Sequence, residues 1–222
     1  MKLRPSVAAL AAVLLATALA GPANADDEAD KLAARGKALR YAVKTTEPAN
    51  SIETGGAAIL VNAPIDRIRP IVTDYRHYAQ LIKPFEQSKL ISKKDGVSEV
   101  YFEVPILHGA AKIWAVVKIA KPVKDGDGEK IVARFGNKGN VDDFRAIWRL
   151  RSVDETHTIV KLEILVDPKM PVPASMVTPE LSYAADKAVT AVRDRAEKAA
   201  GTATAERASS EEPKKPSNVA KR

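Results

Sequence analysis

Few residues in this chain have the types and spacing that covalent chemistry needs. Cysteine is absent, which removes thiolate nucleophiles, thiolate metal sites and disulfides. The three histidines stand far apart, at 77, 108 and 157, so none pair at metal-site spacing. There is no Gly-x-Ser-x-Gly elbow. The glycines of GNKGN, residues 136–140, lack the lysine-threonine ending and following helix of a phosphate-cradling loop. His108 falls in a connection and His157 in a hairpin turn, the setting of solvated histidines. His77 lies beside Tyr78 on a helix, at a surface or interface. Asp142-Asp143 precedes a strand and reads as turn and cap rather than as an acid–base pair. What remains is binding chemistry, carried by apolar side chains that recur on one face of strand after strand. We expect no metal and no cofactor, and a binder rather than an enzyme.

These faces begin after a change of period. Ser51–Asn62 reads as a strand with Gly55-Gly56 near its start, a pair that predicts a bulge or bend. Asp66 is the expected N-cap of a broken helix or two short ones, carrying Ile68, Val72, Tyr75, Tyr78, Leu81 and Ile82 and ending before Pro84. From Glu86 the period is two. SKLISKK runs into a turn at Lys94-Asp95-Gly96. Val100, Phe102 and Val104 then share one face, and Ile113, Ala115, Val117 and Ile119 the next. Trp114 falls among lysines on the opposite face. A turn at 125–128, a strand at 130–135 and a loop at 136–140 follow. Phe144, Ala146, Trp148 and Leu150 alternate with arginines and Ile147, and Val160, Leu162, Ile164 and Val166 form the last apolar face. Short turns between consecutive strands predict an antiparallel meander with one face covered.

The cover must be the C-terminal helix. Pro168, Pro171, Pro173 and Pro179 predict an extended approach. Thr178 is the expected N-cap, with Pro179 at the first helical position and Glu180 in the first turn. Leu181, Ala184, Ala185, Ala188, Val189, Val192 and Ala196 then recur at helical spacing, and Gly201 is the expected stop. A sheet bent around this helix encloses space, and alanine side chains do not fill it.

Both ends of the chain read differently from this core. Lys2 and Arg4, the apolar run to Ala20 and Ala23-Asn24-Ala25 form a secretory signal, residues 1–25, cleaved after Ala25 and implying a bacterial periplasmic address. Residues 26–49 are a partly helical lead-in, with Leu32, Ala33, Leu39 and Val43 as its apolar helical points, 50–200 the folded domain, and 201–222 a disordered tail rich in Ala, Ser, Lys, Glu and Pro. The apolar fraction of 45% over 222 residues supports a real core. The net charge of +7 comes from basic residues that mostly alternate with acidic ones, so we expect no nucleic-acid partner.

VNAPIDRIRPIVTDYRHYAQLIKPFEQSKLIS (61–92), with Asp74-Tyr75 ahead of Pro84, resembles the START-like superfamily, also called SRPBCC. FRAIWRLRSVDETHTIVKLEILVDPKMPVPASMV (144–177) is similar to the final hairpin and helix approach of its polyketide-cyclase and coenzyme-Q-binding branch. The resemblance implies an α+β helix-grip fold: a curved antiparallel sheet of about six or seven strands around a long C-terminal helix. It also implies a cavity for a hydrophobic molecule, whether lipid, sterol-like or quinone-like. Its expected lining is Phe102, Val104, Phe144, Trp148, Leu162 and Ile164 from the sheet, with Ile106 from the connection after the second of the consecutive strands. Met170 and Val177 would come from the proline segment, and Leu181, Ala185 and Ala188 from the helix. Transient contact with a membrane or partner protein belongs to that expectation. The alternatives are an aromatase- or cyclase-like enzyme, which would need ionisable groups in the cavity, and an interaction module with a solid interior.

Overall fold

The computed structural model describes residues 25–44, 52–83, 85–106 and 109–210. The export signal up to residue 24, His108 and the last twelve residues of the expected tail lie outside the described residues.

The period-two segments form one antiparallel sheet. Its strands are β1 (Leu39–Val43), β2 (Thr54–Val61), β3 (Gln87–Lys94), β4 (Val97–Ile106), β5 (Ala111–Ala120), β6 (Val123–Asp125), β7 (Gly128–Gly139), β8 (Val141–Ser152) and β9 (Thr158–Pro168). The order is β1-β2-β9-β8-β7-β5-β4-β3, with β6 also on β7. A long terminal helix, α4 (Ala174–Ser210), covers one face. This is the expected fold class, with β1 and β6 added to bring the sheet to nine strands. β6 continues the line of β5 after Pro122, which has no N–H for the ladder.

The alternation sorts the strands as read. Val100, Phe102, Ile113, Ala115, Val117, Trp148, Leu150, Val160 and Leu162 are buried on the concave face, while Trp114 is exposed on the convex one. Asp95 and Gly96 both have positive φ (52° and 78°), the two-residue turn that Asp-Gly favours between β3 and β4.

Several local expectations are corrected. Leu39 and Val43 are points on an edge strand rather than on a helix; both are exposed, so spacing alone did not separate the two. The lead-in helix is α1 (Ala25–Arg35), on the convex face. Its Ala29 and Leu32 pack on Ala58 and Ile159, and Glu28 pairs with Arg151 at 2.6 Å and Lys161 at 2.5 Å. Pro64, not Asp66, is the N-cap of α2 (Ile65–Val72); Asp66 instead holds Arg69 at 2.8 Å. A 3-10 turn at Tyr75–His77 and α3 (Tyr78–Leu81) follow. β4 runs on through Pro105 and Ile106. The 136–140 loop is mostly strand: β7 reaches Gly139 by a bulge opposite Val116 and Val117, with Asn137 at φ 65°. Asp142 and Asp143 also lie within a strand.

α4 begins earlier and ends later than expected. Pro173 offers its carbonyl to the N–H groups of Met176 (2.9 Å) and Val177 (3.3 Å), so the helix starts at Ala174 and Pro179 lies inside it. Thr178 is no cap; its hydroxyl accepts the Glu53 N–H at 3.1 Å. Gly201 does not stop the helix, which continues to Ser210 where a disordered tail was expected.

The Gly55-Gly56 pair marks close approach rather than a bulge, since the β2 register is unbroken there. A Cβ on Gly55 would stand 2.4 Å from the Ser182 nitrogen and 2.6 Å from the Leu181 Cβ, and one on Gly56 would enter the Tyr41 ring. Ser182 adds a hydrogen bond to the Tyr41 carbonyl at 2.9 Å, and Arg40 reaches Asp186 at 2.6 Å. We therefore predict that Gly55→Ala forces helix and strand apart and lowers unfolding stability by about 1–3 kcal/mol, the usual cost of overpacking. A urea midpoint equal to wild type would refute the contact.

Candidate functional site

α4 packs chiefly against β2 and β9, toward one end of the strand order. The concave face of β8, β7, β5 and β4 extends past it. A pocket of about 150 Å³ remains between them, walled by side chains from β4, β5, β7, β8, β9, α4 and the α2–α3 segment. Small residues keep it open: Ala115, Ala133 and Ala146 on the strands face the same space as Ala184 and Ala188 on the helix.

The α2–α3 segment closes one side with aromatic rings. Tyr78 stacks on Phe102, with centroids 5.7 Å apart and planes 8° from parallel. Phe85 meets Phe102 edge-on at 5.0 Å and Tyr78 at 5.8 Å, and Tyr75 meets Tyr78 at 5.7 Å. Offset and edge-to-face pairs of this kind hold rings in place beyond simple burial. The Tyr78 hydroxyl donates to the Val72 carbonyl, and the Trp148 side chain hydrogen-bonds to it. Its polar group is thus consumed within the wall, and burial drives its phenol pKa well above the ordinary value. Tyr75 is 8% exposed, and its hydroxyl has no hydrogen-bond partner among the described residues. Burial alone pushes its pKa up to about 12.

The wall is nearly free of charge. Among the lining residues Glu180 is the one carboxylate, and neither lysine nor arginine is present. Glu180 stands on the N-terminal part of α4 near Met176 and Tyr183, which are 48% and 39% exposed and form the rim. Arg40 and Lys187 each lie 5.1 Å from the centre of the Tyr183 ring.

Of the residues expected to line a cavity, Phe102, Val104, Ile106, Phe144, Trp148 and Leu162 lie on this wall. So do Ile164, Val177, Leu181 and Ala188. Met170 and Ala185 do not. Leu181, Ala184 and Ala188 form one helical stripe, while Ala185 belongs to the neighbouring stripe of Val189, Val192 and Ala196, which is wholly buried in packing. Met170 packs against the core from the side, and Pro168 and Val172 take its place on the wall. The sequence reading missed Tyr75, Tyr78, Ile82 and Phe85. Their signal was three aromatic residues within 75–85 of a chain with only 5% aromatic content. His77 is exposed and His157 half-buried; they hydrogen-bond to Asp74 and Asp154, each at 2.8 Å, and neither lines the pocket. No cluster of metal-ligating side chains occurs among the described residues.

A family model described as polyketide cyclase / dehydrase and lipid transport matches residues 61–193. No curated protein matches the chain. Among solved structures, the chain is similar to a STAR-related lipid transfer protein from Xanthomonas axonopodis, at 13% identity and a TM-score of 0.62, covering 72% of this chain and 93% of that one. It is similar to a START superfamily protein from Mycobacterium smegmatis, at 16% identity and a TM-score of 0.55, covering 64% and 96%. A Streptomyces aromatase/cyclase named Zhui gives 15% identity and a TM-score of 0.52, covering 72% and 94%. At these identities the likeness establishes the shared fold.

The buried phenols set a pH dependence. Tyrosine in an unfolded chain ionises near pH 10, so the unfolded state loses its proton first when the folded pKa is raised. The stability that Tyr75 contributes is complete below about pH 10 and is lost as pH rises toward its folded value of about 12. We predict that Tyr75→Phe removes roughly 2–3 kcal/mol of the fall across that interval. Unfolding free energies measured against pH check this; an unchanged alkaline slope would place the phenol in water.

Proposed function

The chain belongs to the polyketide cyclase / dehydrase and lipid transport family, and from that premise we propose that it binds and carries a hydrophobic small molecule between α4 and the sheet. The observation that carries this reading is the pocket itself: an apolar space held open by alanines on both walls. An apolar cavity of this size stays dry and accepts a molecule about as large as benzene. Typical ligand pockets are larger, at about 300–1,000 Å³. A lipid-sized molecule would therefore swing the exposed Met176 and Tyr183 side chains aside and extend through the rim. Each square ångström of apolar surface it buries is worth about 25 cal/mol, which holds a ligand without covalent chemistry.

Native mass spectrometry tests the reading. Wild-type protein purified without detergent should retain or take up an apolar molecule. Ala188→Leu fills the pocket and should lower uptake about tenfold or more while the fold persists by circular dichroism. A wild-type protein that neither carries nor acquires lipid would overturn the proposal. Recovery of a chemically altered polyketide-like substrate would move the assignment to an aromatase- or cyclase-like enzyme, with Glu180 as the first residue to substitute.

We propose a periplasmic location on the strength of the N-terminal signal. Cleavage after Ala25 would leave the inner turns of α1, with Glu28 and Leu32, in the mature chain. N-terminal sequencing of protein from a periplasmic fraction should begin Asp26-Asp27-Glu28. Recovery from the cytoplasm with Met1 intact would refute export.

A further inference from the structure

We propose that Tyr75 is the polar anchor of the pocket, and that the ligand is an uncharged molecule presenting one hydrogen-bonding oxygen to it: an alcohol, phenol or ketone rather than a phosphate-bearing lipid. This rests on the ligand-binding reading above and gives that ligand a chemical class.

Two hydroxyls in the aromatic wall are treated differently by the fold. Tyr78 spends its hydroxyl on the Val72 carbonyl and the Trp148 side chain. Tyr75, in contact with it, is 92% buried, yet its hydroxyl meets no partner among the described residues. That hydroxyl is not sealed away: Arg151 Nε is the one fully buried side-chain polar atom left unpaired among the described residues, so the Tyr75 oxygen stays accessible. The Tyr75 side chain belongs to the pocket wall, so a molecule within the pocket can supply the missing partner.

Charge on the wall then selects the partner. A phosphate group entering this space would lose its hydration and meet no lysine or arginine among the described lining residues. Glu180 would repel it at the rim. At the rim, Arg40 and Lys187 flank Tyr183, and Arg40 is held by Asp186 at 2.6 Å. A neutral oxygen faces no such barrier, and the phenol can donate to it or accept from it.

Naphthalene, naphthol and naphthyl phosphate share one ring system and differ only in the polar group. Calorimetric titration of each into wild type and Tyr75→Phe tests the inference, with thermal melting to verify that the variant folds. Wild type should bind naphthol about five- to tenfold more tightly than naphthalene, the effect of one added hydrogen bond. That ratio should fall to near one in Tyr75→Phe, and naphthyl phosphate should bind most weakly to both. A ratio that persists in the variant, or naphthyl phosphate binding as tightly as naphthol, overturns the inference while leaving an apolar pocket in place. Failure of all three probes to bind wild type overturns the inference together with the ligand-binding reading beneath it.

Discussion

The backbones of α4 and β2 touch where Gly55 faces Leu181 and Ser182, and the geometry of the interior follows from that contact. A single α-helix is about 10–12 Å across, much narrower than a sheet of this width. Once the helix is seated against β2 and β9, it cannot also cover β8, β7, β5 and β4. The remaining strands curve over empty volume, and large side chains on the helix would be needed to fill it. The stripe that faces this region instead carries Leu181, Ala184 and Ala188. Void and contact are therefore two results of one placement.

The polar content of the wall follows a similar economy. Buried donors and acceptors are normally paired, and Tyr78 obeys by turning its hydroxyl onto the Val72 carbonyl. That bond also ties the end of α2 to the start of α3, which positions the Tyr78 ring on Phe102. The aromatic group is thus a structural side wall that also lines the pocket. Charge stays outside it: Arg69 bridges to Glu129 at 2.6 Å, Arg149 to Glu163 at 2.6 Å, and Lys112 to Glu86 at 2.6 Å, all on partly exposed pairs.

Much of this architecture was legible in the residue pattern. Period-two alternation identified the inward faces of β4, β5, β8 and β9, and the strand-to-helix order implied the gripping fold. What escaped notice depends on pairing at a distance. β1 was read as helix because Leu39 and Val43 stand four apart and face solvent, and only their pairing with β2 makes them a strand. The bulge in β7 is recognised only against Val116 and Val117 of β5. Thr178 and Pro179 carry a plausible helix start, but Pro173 supplies one a turn earlier, and Thr178 is used by Glu53 across the fold. In the pocket, strand faces were readable because alternation states them directly. Ala185 and Ala184 are adjacent in sequence on an apolar helix face, and which of them meets the void depends on how the helix is rotated. The family match to residues 61–193 agrees with the part of the chain that was legible.

The pairing of β2 with β9 joins residues near 58 to residues near 161, and α4 then packs on both strands. Contacts so distant along the chain form slowly, because a long loop must close before any of them is rewarded. A ribosome delivers the strands first and their lid last. Until α4 emerges, the nascent molecule holds its greasy concave side toward water, the condition in which growing chains stick to one another. The helix that roofs the finished chamber is thus also the element whose arrival ends that exposure.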